Sequence, residues 1–429
     1  MRLRVDGELG AVDFGVGTPE DPAMPREFGF EARVRGLRGG LSPRRRLATS
    51  WLLALGLFSA SPRQEAPKQE PKDETFVRCI PCKNVGRLPC AAHNKAEMHL
   101  EDDVLWCSTV AGCATCGGTG WLDCADCENL RWLGGLATKR SRQDGLKQAG
   151  ERFDTEMKRP LRKVMTPHFV LVWEVDELKV DKRAVKHHEL MHLYATRLEK
   201  LFDDYTSVLQ ASPREFKERL QVFVWSKAAD QNEGSTRFAG QHSSRGVKLL
   251  GGLAVYSLLV DRTTFRDDEA LHRNVVHNVA HLILSHQNPS QWLGNVKCGW
   301  VDEGLAHWFE ERYWGLCDNY CYEEQNTNVD FKGGKWKPVV RRMVAENDLP
   351  SMSDVMQRNT DGLTLPMHAL SFSYVDYLIA ADAAKFNALC RELRKRTEPR
   401  EALKKHLGVS ALELEERWKA WVLATYPAR

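Results

Sequence analysis

His277 and His281 stand four residues apart inside an apolar run (Val275, Val276, Val279, Ala280, Leu282, Ile283, Leu284), and Glu303 follows with twenty-one residues between it and His281. A helix presents residues i and i+4 on one face. Two imidazoles can therefore converge on one metal ion while the apolar neighbours bury the same helix. Glu303, within Trp300-Val301-Asp302-Glu303-Gly304-Leu305-Ala306, can bring a carboxylate as third ligand. Taken alone, an i, i+4 histidine pair on a buried helix is more often two hydrogen-bonded core residues. The Trp300 to Ala306 segment at a suitable distance shifts the balance toward metal.

The stretch from Leu271 to Glu311 resembles the gluzincin (peptidase MA-like) metallopeptidases, in which an HExxH helix is followed by a W-x-x-E-G-x-A helix. The resemblance implies that His277, His281 and Glu303 hold zinc and leave a fourth position for water. It departs at Asn278. In the family that residue is Glu, which takes a proton from the water and passes it to the leaving amine. An amide cannot accept that proton near neutral pH, so about 10² to 10⁴ in rate would be missing. The resemblance covers roughly residues 166 to 426 and implies a helical tail that closes the metal cleft. There a Tyr or His donates to the oxyanion, which points to His368 or Tyr374.

A literal HExxH occurs elsewhere, at His188-Glu189-Leu190-Met191-His192. Its histidines fall with Thr196, Glu199 and Asp203 on what reads as the polar side of a helix, and no Glu-Gly-x-Ala segment follows. It is the weaker candidate for the metal site. A less favoured idea is that Glu189 packs against the second helix and supplies the base that Asn278 cannot.

Eight of the twelve cysteines lie between Cys79 and Cys127, seven of them in an internal repeat. Cys79-x-x-Cys82, Gly86 and Cys90-x-x-His93 are echoed by Cys113-x-x-Cys116, Gly120 and Cys124-x-x-Cys127, with seven residues between the paired motifs each time. Each half presents four soft ligands on two tight turns, as a tetrahedral structural zinc requires, and disulfides are the alternative. Cys107 is left over on either view. The second half, Cys113-Ala-Thr-Cys116-Gly117-Gly118-Thr119-Gly120, resembles the C-x-x-C-x-G-x-G unit of the DnaJ cysteine-rich domain. That resemblance implies a zinc-stabilised β-hairpin module contacting proteins, with motifs paired first with fourth and second with third. Zinc is thus expected three times, two structural ions and one in the zincin-like site.

The elements that must position these residues are of mixed type. His168 to Val175, Leu220 to Trp225 and Leu253 to Val260 read as strands, and Arg183 to Leu209 as a long helix with Leu190, Tyr194, Leu198, Leu201, Tyr205 and Val208 inward. After Glu311 the pattern is helical, over His368 to Ala380, Ala383 to Lys395, Arg400 to Leu407 and Ala411 to Tyr426, the last capped by Ser410 with Glu413. Cys317 and Cys321 suit a disulfide or two buried thiols, with Cys298 as a third partner.

Composition, 42% apolar and 28% charged, is that of a globular protein, and sixty-one basic residues against fifty-eight acidic ones leave no field to attract nucleic acid or membrane. Residues 1 to 43 read as disordered or untranslated, with Met24 as an alternative start. Arg44-Arg45-Arg46 before the apolar run Leu47 to Ala60 reads as a signal peptide, too short to span a bilayer. Ser61 to Glu74, with three prolines, is a linker. The expected organisation is residues 1–75 as start, signal and linker, 76–130 as zinc module, 131–165 as basic linker and 166–429 as a gluzincin-like domain. The fold class is α+β: a zincin-like domain of mixed sheet, metal helix and C-terminal helical subdomain, plus a small zinc-stabilised β-hairpin module. The expected function is that of an exported, zinc-dependent binder of a polypeptide or protein partner, its peptidase weakened or inactive. An active metallopeptidase using another base and a metal-free scaffold are the alternatives.

Overall fold

The structure, a computed structural model, describes residues 80–82, 87–92, 104–118, 120–125, 145–250, 254–261, 265, 267–287, 289, 292–320 and 331–429. The expected signal peptide and linker, Met24, Cys79, His93, Cys127, Cys321 and much of the basic linker lie outside these residues.

The cysteine-rich segment contributes three short strands, β1 (Arg87–Pro89), β2 (Trp106–Cys107) and β3 (Trp121–Asp123). Strand β1 pairs antiparallel with β3, Leu88 opposite Leu122, which lays the two cysteine repeats against each other. Helix α1, over residues 145–157, leads to β4 (Lys163–Met165) and β5 (Phe169–Trp173). A hairpin of β6 (Glu177–Val180) and β7 (Arg183–Lys186) then precedes helix α2 (His187–Leu209). The expected helix therefore starts four residues late. Arg183 to Lys186 instead pair with β6 around Asp181, which turns the chain with a positive φ of 54°.

Strand β8 (Leu220–Trp225), helix α3 (Ala228–Gly234), β9 (Gly246–Leu249) and β10 (Val255–Leu259) complete the strands. The main sheet runs β2-β4-β5-β8-β10-β9, with β5, β8 and β10 parallel and the outer strands antiparallel. Its central strands read as continuous apolar runs because both faces are covered. Leu171, Trp173, Val222 and Val224 enter the core shared with the helices, while Val170, Val172, Phe223 and Trp225 pack against α1 on the other face. Alternation along β2 sends Trp106 to the α1 face and Cys107 to the helical core. Trp106 and Cys107, from within the segment expected to be a separate module, thus supply an edge strand of the larger domain.

Helices α4 (Asp268–Gln287), α5 (Gly299–Trp314), α6 (Trp336–Glu346), α7 (Met352–Gln357), α8 (Leu365–Leu393), α9 (Pro399–Leu407) and α10 (Ala411–Thr425) follow. The two helices expected over 368–380 and 383–395 are both present: α8 is broken at Asp382, whose extended backbone (φ −168°, ψ 94°) separates them, and Asp382 Oδ1 accepts from Lys385 N–H at the start of the second. Ser410 caps α10 in a reciprocal pair with Glu413, as the sequence predicts. The fold is mixed α and β, in agreement with the α+β expectation.

Candidate metal centre

Helix α5 is buried at every position from Gly299 to Glu310. A helix without a solvent face must pair each polar side chain it carries, and α5 carries Asp302, Glu303, His307 and Glu310. Helix α4 lies beside it and presents His277 and His281. The two elements bring His277, His281 and Glu303 together with every side chain 0% exposed.

A carboxylate lies behind each ring. His277 Nδ1 lies 3.1 Å from Glu310 Oε2, and His281 Nδ1 lies 2.7 Å from Asp302 Oδ1. A proton on each Nδ1 leaves the Nε2 lone pairs facing inward, and these two atoms are 3.2 Å apart. Two lone pairs at that distance repel unless a cation sits between them. A tetrahedral zinc with Zn–N of about 2.0–2.1 Å places its nitrogen ligands about 3.3–3.4 Å apart. Glu303 closes the triangle, each of its oxygens 3.7 Å from one of the Nε2 atoms. Neither oxygen has a well-formed hydrogen bond. A fully buried carboxylate is costly without a partner, so the donor set fits a divalent metal.

Electrostatics point the same way. Burial holds His277 below the ordinary imidazole value and His307 at about 4, so both rings are neutral near pH 7, as ligands must be. Burial pushes Glu303 and Glu310 up, but the surrounding histidines override it. Glu310 lies at about 2 and Glu303 well below the usual carboxylate range.

Two further imidazoles border the triad. His307, one turn after Glu303, places Nδ1 3.0 Å from Glu310 Oε2 and Nε2 3.5 Å from Glu303 Oε2. His368, from α8, places Nδ1 3.5 Å from Glu303 Oε2 and 3.1 Å from His307 Nε2. His368, expected from sequence, is thus at the centre. Tyr374 instead packs against the indoles of Trp418 and Trp300, at 4.6 and 6.3 Å. Sequence reading missed His307, Glu310 and the role of Asp302. The available signal was spacing, because positions 303, 307 and 310 share one face of a helix.

Asn278 is half-buried, and its Nδ2 donates to the Asn274 carbonyl at 2.9 Å. Glu189, on α2, forms a bidentate pair with Arg183 of β7. His188 and His192, expected on the polar side of α2, are 2% and 1% exposed and group with Cys107. Strand β2 covers that end of the helix, a tertiary contact that the helix's own period cannot reveal.

In the cysteine segment the grouping crosses the halves. Cys90 joins Cys113 and Cys116, with Cys90 Sγ 3.9 Å from Cys113 Sγ, and Cys82 packs with Cys124. Of the two arrangements open in the sequence, the β1–β3 pairing gives the crosswise one that the resemblance implies, the second motif beside the third and the first beside the fourth, and not four ligands within each half. Backbone N–H of Cys116 aimed at Cys113 lowers that thiol to about 6, toward the thiolate that binds metal. Cys298 and Cys317 are buried free thiols, and Cys317 Sγ lies 3.3 Å from the His307 carbonyl.

A polar cavity of about 290 Å³ reaches the back of the centre, lined by Lys248 and Leu249 of edge strand β9 and by Asn295, Asp302, Thr360 and Asp361. Among the described residues no helix is long and apolar enough to cross a membrane. Comparison with protein-family models and with curated proteins finds no match.

Proposed function

We propose that this chain is a zinc-dependent polypeptide-binding protein built on a gluzincin-like scaffold, with peptide hydrolysis weakened or lost. The observation that carries the proposal is the pairing of an intact ligand set with Asn278. His277, His281 and Glu303 converge with carboxylates behind both rings, while the residue next to His277 offers only an amide that is tied to its own helix. Bound zinc would supply charge and Lewis acidity. This chain's residues can orient that ion, but none of those around it replaces a glutamate next to His277 as proton acceptor. A catalytic zinc also keeps one position open, whereas a structural one is closed by four protein ligands. His307 and His368, both buried beside Glu303, border the position that such a zinc would keep open.

The polypeptide would lie along β9. An edge strand recognises extended chain through its backbone groups, and β9 is the antiparallel edge of the sheet beside the cavity that reaches Asp302. Export, suggested by the N-terminal sequence, belongs to the same proposal.

Zinc is to be counted in the purified full chain and in a His277→Ala/His281→Ala variant. The variant should hold one ion fewer, and an equal count in both proteins rules out this centre. Asn278→Glu in the otherwise wild-type chain should raise chelator-sensitive peptide cleavage from near zero by about 10²-fold or more. If the wild-type chain cleaves peptides as fast as Asn278→Glu does, the loss of hydrolysis is wrong.

A further inference from the structure

We infer that Cys107, His188 and His192 form a second transition-metal site, separate from the α4–α5 centre, that fastens the cysteine-rich segment to helix α2. The three ligand atoms form a nearly equilateral triangle. Cys107 Sγ lies 3.5 Å from His188 Nε2 and 3.4 Å from His192 Nε2, and the two Nε2 atoms are 3.0 Å apart. A tetrahedral zinc, with Zn–S of about 2.3 Å and Zn–N of about 2.0–2.1 Å, sets sulfur and nitrogen about 3.5–3.6 Å apart and two nitrogens about 3.3–3.4 Å apart. Each observed edge falls within a few tenths of an ångström of one face of that tetrahedron.

The three groups come from places with no local reason to meet. His188 and His192 share a helical face by their i, i+4 spacing, but Cys107 lies 81 residues before His188 on edge strand β2. Pairing of β2 with β4, Cys107 opposite Val164, delivers the sulfur to the start of α2. All three side chains are buried, at 0%, 2% and 1% exposure. A thiolate with two imidazoles is a soft-to-borderline donor set that suits zinc and does not suit magnesium or calcium. Three protein donors make a site that one further ligand completes.

The glutamate of this literal HExxH has another task. Glu189 points to Arg183 and pairs with it through both oxygens, which leaves the motif without its proton acceptor at the metal. The site therefore joins elements and does not hydrolyse. Its effect is to hold β2, and with it the segment carrying Cys90, Cys113 and Cys116, against the domain that carries the α4–α5 centre. Binding zinc deprotonates Cys107, and the proton leaves to solvent.

The test counts zinc in the full chain after loading and removal of excess. Cys107→Ser and His192→Gln should each lower the count by one. The His277→Ala/His281→Ala variant should lose a different ion, so that combining it with Cys107→Ser removes two. Counts unchanged in both Cys107→Ser and His192→Gln overturn the site, whatever the α4–α5 variant shows. If either variant fails to fold, the wild-type chain decides. An anomalous zinc-edge peak within about 2.0–2.3 Å of Cys107 Sγ and both Nε2 atoms is expected in zinc-grown crystals, and its absence overturns the assignment.

Discussion

One carboxylate oxygen, Glu310 Oε2, receives both His277 Nδ1 and His307 Nδ1, at 3.1 and 3.0 Å. It fixes which nitrogen of each ring faces Glu303, and its charge makes those nitrogens more basic. Outer partners of this kind typically contribute 10–100-fold in metal affinity. Glu310→Gln should therefore weaken zinc binding at the α4–α5 centre by about 10–100-fold in a competition titration while the ligand residues stay in place. An unchanged affinity would mean that Glu310 only fills space. Gly304, next to Glu303, has a different constraint. A Cβ there would stand 2.4 Å from the Ser371 carbonyl oxygen and 2.7 Å from Val375 Cγ2 on α8. Alanine would regain about 1 kcal/mol of helix propensity, but separating α5 from α8 costs about 1–3 kcal/mol by overpacking. The clash should dominate, and Gly304→Ala should melt several degrees below wild type in a circular-dichroism scan. The Glu-Gly pair, met in the sequence as part of a motif, has its reason in this helix crossing. That reason is invisible in one dimension because Ser371 is remote in the chain.

Helix α4 is pinned at its start. Arg197 of α2 donates through two nitrogens to Asp268 in the first turn of α4, at 2.6 and 2.8 Å, and Tyr194 Oη donates to Asp268 Oδ1 at 2.9 Å. Burial pushes the Asp268 carboxyl up, but the Arg197 guanidinium outweighs it and holds the group below its ordinary value. A depressed folded-state pKa contributes stability above the unfolded pKa, near 3.9, and that contribution is lost as pH falls through the folded value. Asp268→Asn should lower stability by about 2 kcal/mol at pH 7, as expected for a partly buried charge-assisted pair. In urea melts the gap between variant and wild type should close below about pH 4. A gap that persists at low pH would assign the effect to packing. At this scale the long apolar periods were legible: α4, β5, β8 and α10 lie where hydrophobic spacing puts them. The start of α2 was not, because a four-residue stretch with Val185 as its one buried residue satisfies a strand as well as a helix. Only its pairing with β6 decides between them.

Across the whole molecule, the candidate metal groups tie together elements far apart in sequence. Cys90 meets Cys113 and Cys116 across a strand pair, Cys107 meets α2, and α4 meets α5 and α8 around Glu303. Ligand types were legible in the sequence, since their chemistry does not depend on the fold. Partners were legible where helical spacing supplied them, as for His277 with His281, or where a motif did, as for Glu303. Cross-chain partners such as Cys107 with His192 depend on sheet order, which local periodicity does not encode. A metal that binds only the folded chain stabilises it by RT ln(1 + [L]/Kd), about 4 kcal/mol when free zinc is a thousand times Kd. In domains of this order each kcal/mol moves the melting temperature by about 2–4 °C. Chelating the full chain should therefore lower its melting temperature by roughly 8 °C or more in scanning calorimetry. The His277→Ala/His281→Ala variant should begin lower and fall less, because one of its stabilising ions is already gone. Equal drops in the two proteins would show that the α4–α5 centre adds nothing to stability and that the remaining groups account for the whole effect.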